Sequence, residues 1–194
     1  KIKHNHAQVT GNYSSGGVQG FHTQAAIQSL VLANNEAYFA DDSGFFLNVP
    51  SGTGQDWIIS NNIAFDNGQV GTATNYGFAF ELTAGATLSG LVLTGNIANS
   101  QARGISFSAN GTISNSYISG NVCRGNTVDI NIGAGLQFAT ATFGFNVGLS
   151  SGSYLGAYPT TVRELFFWTD NLPQSSGTVV LSDGFGTRGY LVPR

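Results

Sequence analysis

The heptapeptide Ile59-Ser60-Asn61-Asn62-Ile63-Ala64-Phe65 returns in altered form as Leu93-Thr94-Gly95-Asn96-Ile97-Ala98-Asn99. In both stretches an asparagine lies three residues after an apolar residue and two residues before a small one. Six places in the chain obey this rule: Ile2/Asn5/Ala7, Leu32/Asn35/Ala37, Ile59/Asn62/Ala64, Leu93/Asn96/Ala98, Ile118/Asn121/Cys123 and Phe143/Asn146/Gly148. Subtracting successive asparagine numbers gives intervals of 30, 27, 34, 25 and 25 residues. Such spacings indicate a solenoid-type repeat.

A second recurring block lies between these copies and alternates apolar with polar or small residues. It is found at Gly44-Phe45-Phe46-Leu47-Asn48, Gly77-Phe78-Ala79-Phe80-Glu81, Gly104-Ile105-Ser106-Phe107-Ser108 and Thr127-Val128-Asp129-Ile130-Asn131. A period of two is typical of a half-buried strand. The second and fourth members, such as Val128 and Ile130, are therefore expected to point inward, and the third and fifth members outward.

A turn of about 25 residues with two or three short strands cannot bury its apolar face alone, but stacked turns share a continuous core. The repeat therefore predicts an all-β, single-stranded parallel β-solenoid of about six coils. Asparagine suits a corner of the coil because it tolerates the left-handed conformation and because stacked side-chain amides can hydrogen-bond along the column.

With an asparagine between two strands in each coil, the sequence resembles the right-handed parallel β-helix of pectate-lyase-like proteins. The resemblance covers about residues 1–148, and its right-handed coil agrees with the usual crossover preference. Within that fold, a low-charge, Gly/Asn/Ser-rich chain with an abrupt N-terminus is similar to a bacteriophage tailspike or tail-fibre receptor-binding region. That likeness implies a homotrimer on the virion tail that recognises bacterial cell-surface polysaccharide.

The chain is expected to fall into three parts. Residues 1–150 form the β-helix, and residues 151–190 form a β-rich cap or oligomerisation element, because the open end of a solenoid must be covered. The stretch from Thr161 to Asp170 within the cap fits either a strand or a short helix. Leu191-Val192-Pro193-Arg194 matches the left side of a thrombin site, and we interpret it as a tag remnant.

Composition excludes several function classes. Of the 194 residues only 9% are charged, with 7 Lys and Arg against 10 Asp and Glu, so no basic surface is available for nucleic acid. No apolar run approaches the roughly twenty residues that a membrane-spanning helix needs. The single cysteine forms no internal disulfide, no Cys-x-x-Cys zinc motif occurs, and His4-x-His6 lacks an obvious third ligand. We therefore expect neither a metal nor a cofactor.

The candidate catalytic residues are two carboxylates. Glu81 ends an outward-facing strand, where it is either a solvated surface group or a general acid with Asp66 as partner, Asp41 and Asp42 being the alternatives. Asp41-Asp42 also fits a calcium site or, more simply, an Asp-Asp-Ser-Gly turn. Hydrolysis is favoured over lyase chemistry because the solenoid offers few basic residues to abstract a proton. The candidate sugar-binding residues are Asn48, Asp129, Phe46 and Tyr76.

A column of apolar residues is expected to face outward. These residues lie four positions before the asparagines and are flanked by inward ones: Val31, Ile58, Val92 and Tyr117. Such a stripe would form a trimer interface, pack against the C-terminal segment, or lie at a local corner that turns its side chains inward.

We consider three functions. The first is a tailspike-like region that recognises bacterial polysaccharide. If this region is an enzyme, it also hydrolyses that polysaccharide. The second is a secreted, monomeric carbohydrate-active enzyme of pectate-lyase-like type. The third is a structural or adhesive solenoid without catalysis. Because a fold does not fix a function, residue changes must distinguish them.

Overall fold

The computed structural model describes residues 6–70, 75–133, 135–147, 162–168, 180–182 and 187–189. These residues form an all-β, right-handed parallel β-solenoid of about five turns, without a helix in the described part. Each full coil contributes one strand to each of four stacks, which we call sheets 1 to 4. The predicted fold class is confirmed.

Sheets 1 and 2 lie on either side of the repeated asparagine. They join at β20 (Ala141–Val147), which pairs with strands of both sheets. Sheet 1 contains β1 (His6–Thr10), β4 (Ser29–Ala33), β8 (Trp57–Ser60), β12 (Val92–Thr94), β16 (Ser116–Ser119) and the start of β20 (Ala141–Val147). Sheet 2 contains β2 (Tyr13–Ser15), β5 (Glu36–Tyr38), β9 (Ile63–Phe65), β13 (Ile97–Asn99), β17 (Val122–Arg124) and the end of β20.

Sheet 3 holds the longest strands, and sheet 4 holds short ones that close the coil. Sheet 3 contains β3 (Gln19–Gln24), β6 (Ser43–Val49), β10 (Tyr76–Leu82), β14 (Arg103–Ala109) and β18 (Val128–Ile132). Sheet 4 contains β7 (Thr53–Gln55), β11 (Thr87–Ser89), β15 (Thr112–Ser114) and β19 (Gln137–Phe138).

The repeated asparagines stack in register, which confirms five of the six predicted copies. The first copy is wrong: Ala7 pairs with Leu30 in sheet 1 and not with Ala37. Asn12 begins the column instead and bonds to Asn35, only 23 residues later. The first coil is shorter than the others, so the repeat spacing did not identify this asparagine. Six rows of the column delimit the five turns: Asn12, Asn35, Asn62, Asn96, Asn121 and Asn146.

Each asparagine in this column, which we call the first corner, bonds to the next coil in the same way. The Asn62 backbone N–H and Nδ2 both donate to Asn96 Oδ1, at 3.0 and 2.9 Å. Asn96 repeats the pair to Asn121 Oδ1, at 3.1 and 3.0 Å, and its Nδ2 also donates to the Ile59 carbonyl at 2.9 Å. These amides are buried. The predicted stacking of amides is confirmed.

The left-handed conformation belongs to the residue before five of the six ladder asparagines, not to the asparagines themselves. Before the first five asparagines of the column, that position carries glycine or a second asparagine: Gly11, Asn34, Asn61, Gly95 and Gly120. The prediction about backbone conformation was therefore misplaced by one residue. The chain turns at the flanking residue, which leaves the ladder side chain free to point inward.

Glycine is required at the start of the sheet 3 strands, where neighbouring backbones come close. A Cβ on Gly77 would lie 2.6 Å from the Gly104 carbonyl oxygen and 2.9 Å from the Ala98 Cβ of sheet 2. Position 77 thus faces the interior. Because Phe78 is buried as well, two successive residues face the core and the simple alternation of β10 begins only after them.

The core is filled by the predicted inward residues of sheets 1 and 3. Stacked aromatic rings run between coils, with centroids 4.6 Å apart for Phe45 and Phe78 and 4.9 Å apart for Phe80 and Phe107. The last block is shifted by two residues from the predicted alignment, because Ile130, rather than Val128, pairs with Ile105. Ile130 is buried and Val128 is only half-buried.

The outward apolar stripe is confirmed as a register column of sheet 1. Val31, Ile58, Val92 and Tyr117 pair in succession, and Tyr117 is 47% exposed.

Within residues 151–190 the described residues are all in strands. β21 (Val162–Trp168) pairs in parallel with β20, while β22 (Val180–Ser182) and β23 (Thr187–Gly189) form an antiparallel pair. The strand alternative is thus confirmed for Val162–Trp168, the described part of the segment from Thr161 to Asp170. The domain boundaries and the cap or oligomerisation role stay predictions, and residues 1–5 and 191–194, with His4 and the tag motif, lie outside the described residues.

Candidate functional site on the outer face of sheet 3

Glu81 lies on the outer face of sheet 3, in a column of residues that differs in every coil. It pairs with Asn48 on one side and Ser108 on the other, and Asn48 pairs in turn with Gln24. The neighbours predicted for Glu81 are confirmed. Since both flanking side chains are neutral, nothing in this column compensates the charge of an ionised Glu81.

Partial burial raises the pKa of Glu81 above its ordinary value of 4.5, and the negative charge of Asp42 raises it further. Asn48 Oδ1 is buried and, among the described residues, receives no hydrogen bond. A protonated Glu81, directly across the strand pair, would supply the donor that this oxygen lacks. The surroundings therefore favour the protonated form, which is the form that a general acid needs.

The carboxylate whose charge raises the pKa of Glu81 is Asp42 rather than the predicted Asp66. Asp42 is held just before β6, where Ser43 Oγ donates to one carboxylate oxygen at 3.2 Å and Gln19 Nε2 to the other at 3.4 Å. Asp66 lies in the corner after β9 with a φ of 50°. The 34-residue coil from Asn62 to Asn96 places extra residues between Asp66 and β10.

Tyr76 and Arg103 form a paired cation and ring at the start of the same face. The Arg103 Nη1 donates to the Tyr76 hydroxyl at 3.2 Å, and its guanidinium carbon lies 5.5 Å from the ring centre. Burial raises the pKa of Tyr76; Arg103 opposes that rise, while Glu81 and Asp42 add to it. Tyr76, Arg103, Glu81 and Asp42 thus belong to one electrostatic cluster, which we call the sheet 3 cluster.

The middle of this face carries Phe46, as predicted for an outward position. Its ring meets the His22 ring edge-on, with centroids 5.1 Å apart. Ala79 and Ser106 continue the column and are fully buried. Phe46 is only half-buried, so part of its ring stays available for contact.

The outward position predicted for Asp129 is wrong. Asp129 is 1% exposed, and its carboxylate accepts a hydrogen bond from Asn126 Nδ2 at 2.9 Å. Its strand position stacks on Gly104, in the column of glycines that faces the core. Asp129 is therefore not available to a ligand at the surface.

A second polar corner was missed by sequence reasoning. It lies five residues after the ladder asparagine and carries Ala40, Asn67, Gln101 and Asn126. Its members form individual links, such as the Gln101 N–H donating to Asn126 Oδ1 at 3.0 Å. The recurrence of asparagine at an offset of five in two coils was the available signal.

Potential metal ligands and one thiol are present in the described part of the chain. Its His, Cys, Asp and Glu side chains form no group of three that would hold an ion. Cys123 is buried in the small-residue column with Ala98, and burial, with a smaller effect of the Asp129 charge, raises the pKa of its thiol well above the usual range. Cys123 acts as a core spacer, as predicted.

Among the described residues no helix is long and apolar enough to cross a bilayer. No family model matches the chain, and the comparisons with curated proteins and with solved structures gave no match.

Proposed function

We propose that the chain is a glycan-binding β-solenoid whose sheet 3 face recognises bacterial cell-surface polysaccharide, in the manner of a phage tailspike receptor-binding region. The supporting observation is the outer face of sheet 3, which carries the carboxyl groups of Glu81 and Asp42, the Arg103 guanidinium and the half-buried Phe46 and Asn48. Tyr76 is 6% exposed, and its hydroxyl accepts a hydrogen bond from Arg103. Polyhydroxylated ligands are bound by planar charged groups that hydrogen-bond their hydroxyls and by rings that stack on their apolar faces.

The sheet gives this site rigidity. Phe46, Asn48 and Glu81 project from paired strands rather than from loops, so little conformational entropy is lost when a ligand binds. A linear polymer lying along the solenoid axis would meet a different side chain in each coil. The site therefore suits a repeating glycan better than a small metabolite.

Binding is tested on an array of purified bacterial capsular and O-antigen polysaccharides, followed by titration of any glycan that binds. Arg103→Gln and Phe46→Ala are each expected to weaken binding about tenfold, the loss of one charged hydrogen bond or one stacked ring. Gln55→Ala removes an exposed side chain from sheet 4, which belongs neither to the proposed site nor to the sheet 1 stripe, and is the matched control. Binding that is equal in all three variants would refute the sheet 3 site.

Hydrolysis is a second candidate function, supported by the raised pKa of Glu81 beside the Asp42 charge. In this scheme Glu81 donates its proton to the leaving glycosidic oxygen. Asp42 takes a proton from the water that attacks the anomeric carbon, which regenerates both groups after proton exchange. Release of reducing ends by wild type, its loss in Glu81→Gln and its persistence in Gln55→Ala would support this role. Binding without cleavage by wild type would leave an adhesive solenoid.

The proposed assembly is a homotrimer through the sheet 1 stripe, with the virion tail as its location and secretion as the alternative. Sedimentation of wild type at three times 20.2 kDa, with dissociation of Ile58→Asp, is the expected result. A monomer at every concentration would favour the secreted-enzyme hypothesis.

A further inference from the structure

Four aromatic side chains form a continuous cluster on the outer face of sheet 2, and none of them belongs to the sheet 3 cluster. Tyr38 is at its centre, with ring centroids 5.5 Å from Tyr13, 5.8 Å from Phe65 and 6.1 Å from Phe39. The Phe39 and Phe65 rings meet edge-on at 6.3 Å. Tyr13 is 65% and Phe39 45% exposed. We call these four residues the sheet 2 aromatic cluster.

Phe39 occupies a backbone conformation that disfavours phenylalanine. Its φ is 54°, in the left-handed region. The equivalent corner residues of the other coils are small or polar: Gly16, Asp66, Ser100 and Gly125. A bulky residue is a genuine outlier there, and such strain persists mainly where it serves a function. The exposed Phe39 ring adds nothing to the core that would offset the strain.

Polar groups border the rings. Glu36 lies two residues before Tyr38 on β5, and burial, with the charge of Glu36 as the next cause, raises the pKa of Tyr38. Along the column of Tyr38 and Phe65, the following coils carry Asn99 and Arg124. Rings are thus confined to the first three coils, and hydrogen-bonding side chains continue the same column.

We propose that the sheet 2 aromatic cluster is a second glycan-binding site, at which sugar rings stack on Phe39 and Tyr13 while Glu36 and the tyrosine hydroxyls bond to sugar hydroxyls. This inference rests on the proposed glycan-binding function. A sugar chain is favoured over a protein partner because a stable protein interface needs about 800 Å² on each side. Four rings bordered by polar columns are better matched to a few sugar units.

The test compares Phe39→Asn with wild type on the same polysaccharide array, with a thermal melt of each protein. Asparagine tolerates the left-handed conformation, so the variant is expected to melt at a higher temperature while binding about tenfold more weakly. Opposite changes in stability and binding identify a binding role, because a structural ring would lower both on removal. Tyr13→Ala is the second variant, and the exposed sheet 4 change Gln55→Ala is the control.

The outcomes separate the two sites. If Phe46→Ala weakens binding and Phe39→Asn and Tyr13→Ala do not, the sheet 2 proposal is overturned and the sheet 3 proposal stands. The reverse pattern supports sheet 2 and overturns the sheet 3 site. A wild-type protein that binds no polysaccharide on the array overturns both. Oligomers of wild type that Tyr13→Ala dissociates, without a change in glycan binding, would assign the cluster to self-association instead.

Discussion

The first corner and the outer face of sheet 3 belong to the same coils but repeat in opposite ways. The first corner carries asparagine in all six rows, and each of the first five donates twice to the next. The Glu81 column changes residue in each coil, from Gln24 through Asn48 and Glu81 to Ser108. Identical side chains form an uninterrupted hydrogen-bonded ladder, whereas differing ones create a local site. Repetition thus stabilises the fold, and variation provides the candidate function.

The largest expected effect is on stability, from Asn96→Ala. The change removes the acceptor for the Asn62 N–H and Nδ2 and leaves buried donors unpaired. We expect a loss of about 3 kcal/mol or more in the free energy of unfolding, measured by urea denaturation. The exposed Asn110→Ala is the control, expected to stay within about 0.5 kcal/mol of wild type. Equal effects of the two changes would mean that the ladder is not what stabilises the coil.

Gln101→Ala tests the second corner, which repeats only in part. Gln101 Nε2 donates to the Ala64 and Asn99 carbonyls at 2.8 and 3.2 Å, but its Oε1 is buried and accepts no hydrogen bond within the described residues. Fewer bonds are lost than at Asn96, so a cost of about 1–2 kcal/mol is expected in the same urea experiment. A cost above that of Asn96→Ala would reverse the ranking of the two corners.

Glu81→Gln is expected to have the smallest effect on stability, and that effect should depend on pH. Because the folded-state pKa of Glu81 is raised above 4.5, chiefly by burial, ionisation costs more in the folded protein than in the unfolded one. Wild type therefore loses stability relative to Glu81→Gln as the pH rises from below 4.5 through the folded pKa. Denaturation midpoints across this range measure the difference, with Asn110→Ala as a control for other titrating groups. A difference that shrinks as the pH rises would contradict the assignment.

The repeated first corner was largely predictable from the sequence, whereas the variable face of sheet 3 was not. The ladder was predictable because Asn62, Asn96 and Asn121 recur in one local context, whereas Asn12 was missed because Asn5 satisfied the same rule. Alternation failed at Asp129, because the strand bends at the glycine column and turns that position inward. The proximity of Asp42 to Glu81 depends on the folding of separate coils, and no local pattern encodes it.

Phe39 shows another limit. Its aromatic character was visible, but its left-handed backbone was not, since residue preferences predict the opposite. The inward residues Phe78 and Phe80, by contrast, were predictable because burial enforces a period of two.

Hydrogen exchange at the first corner tests the central claim most directly. The Asn96 N–H is bonded to the side chain of Asn121, not to a strand carbonyl, and lies at a turn. The account predicts that the amides of Asn35, Asn62, Asn96 and Asn121 exchange only on global unfolding, as slowly as the amides of the core strands. Exchange of these amides as fast as that of exposed turns, with the strands still protected, would show that the strands hold the solenoid together without the ladder.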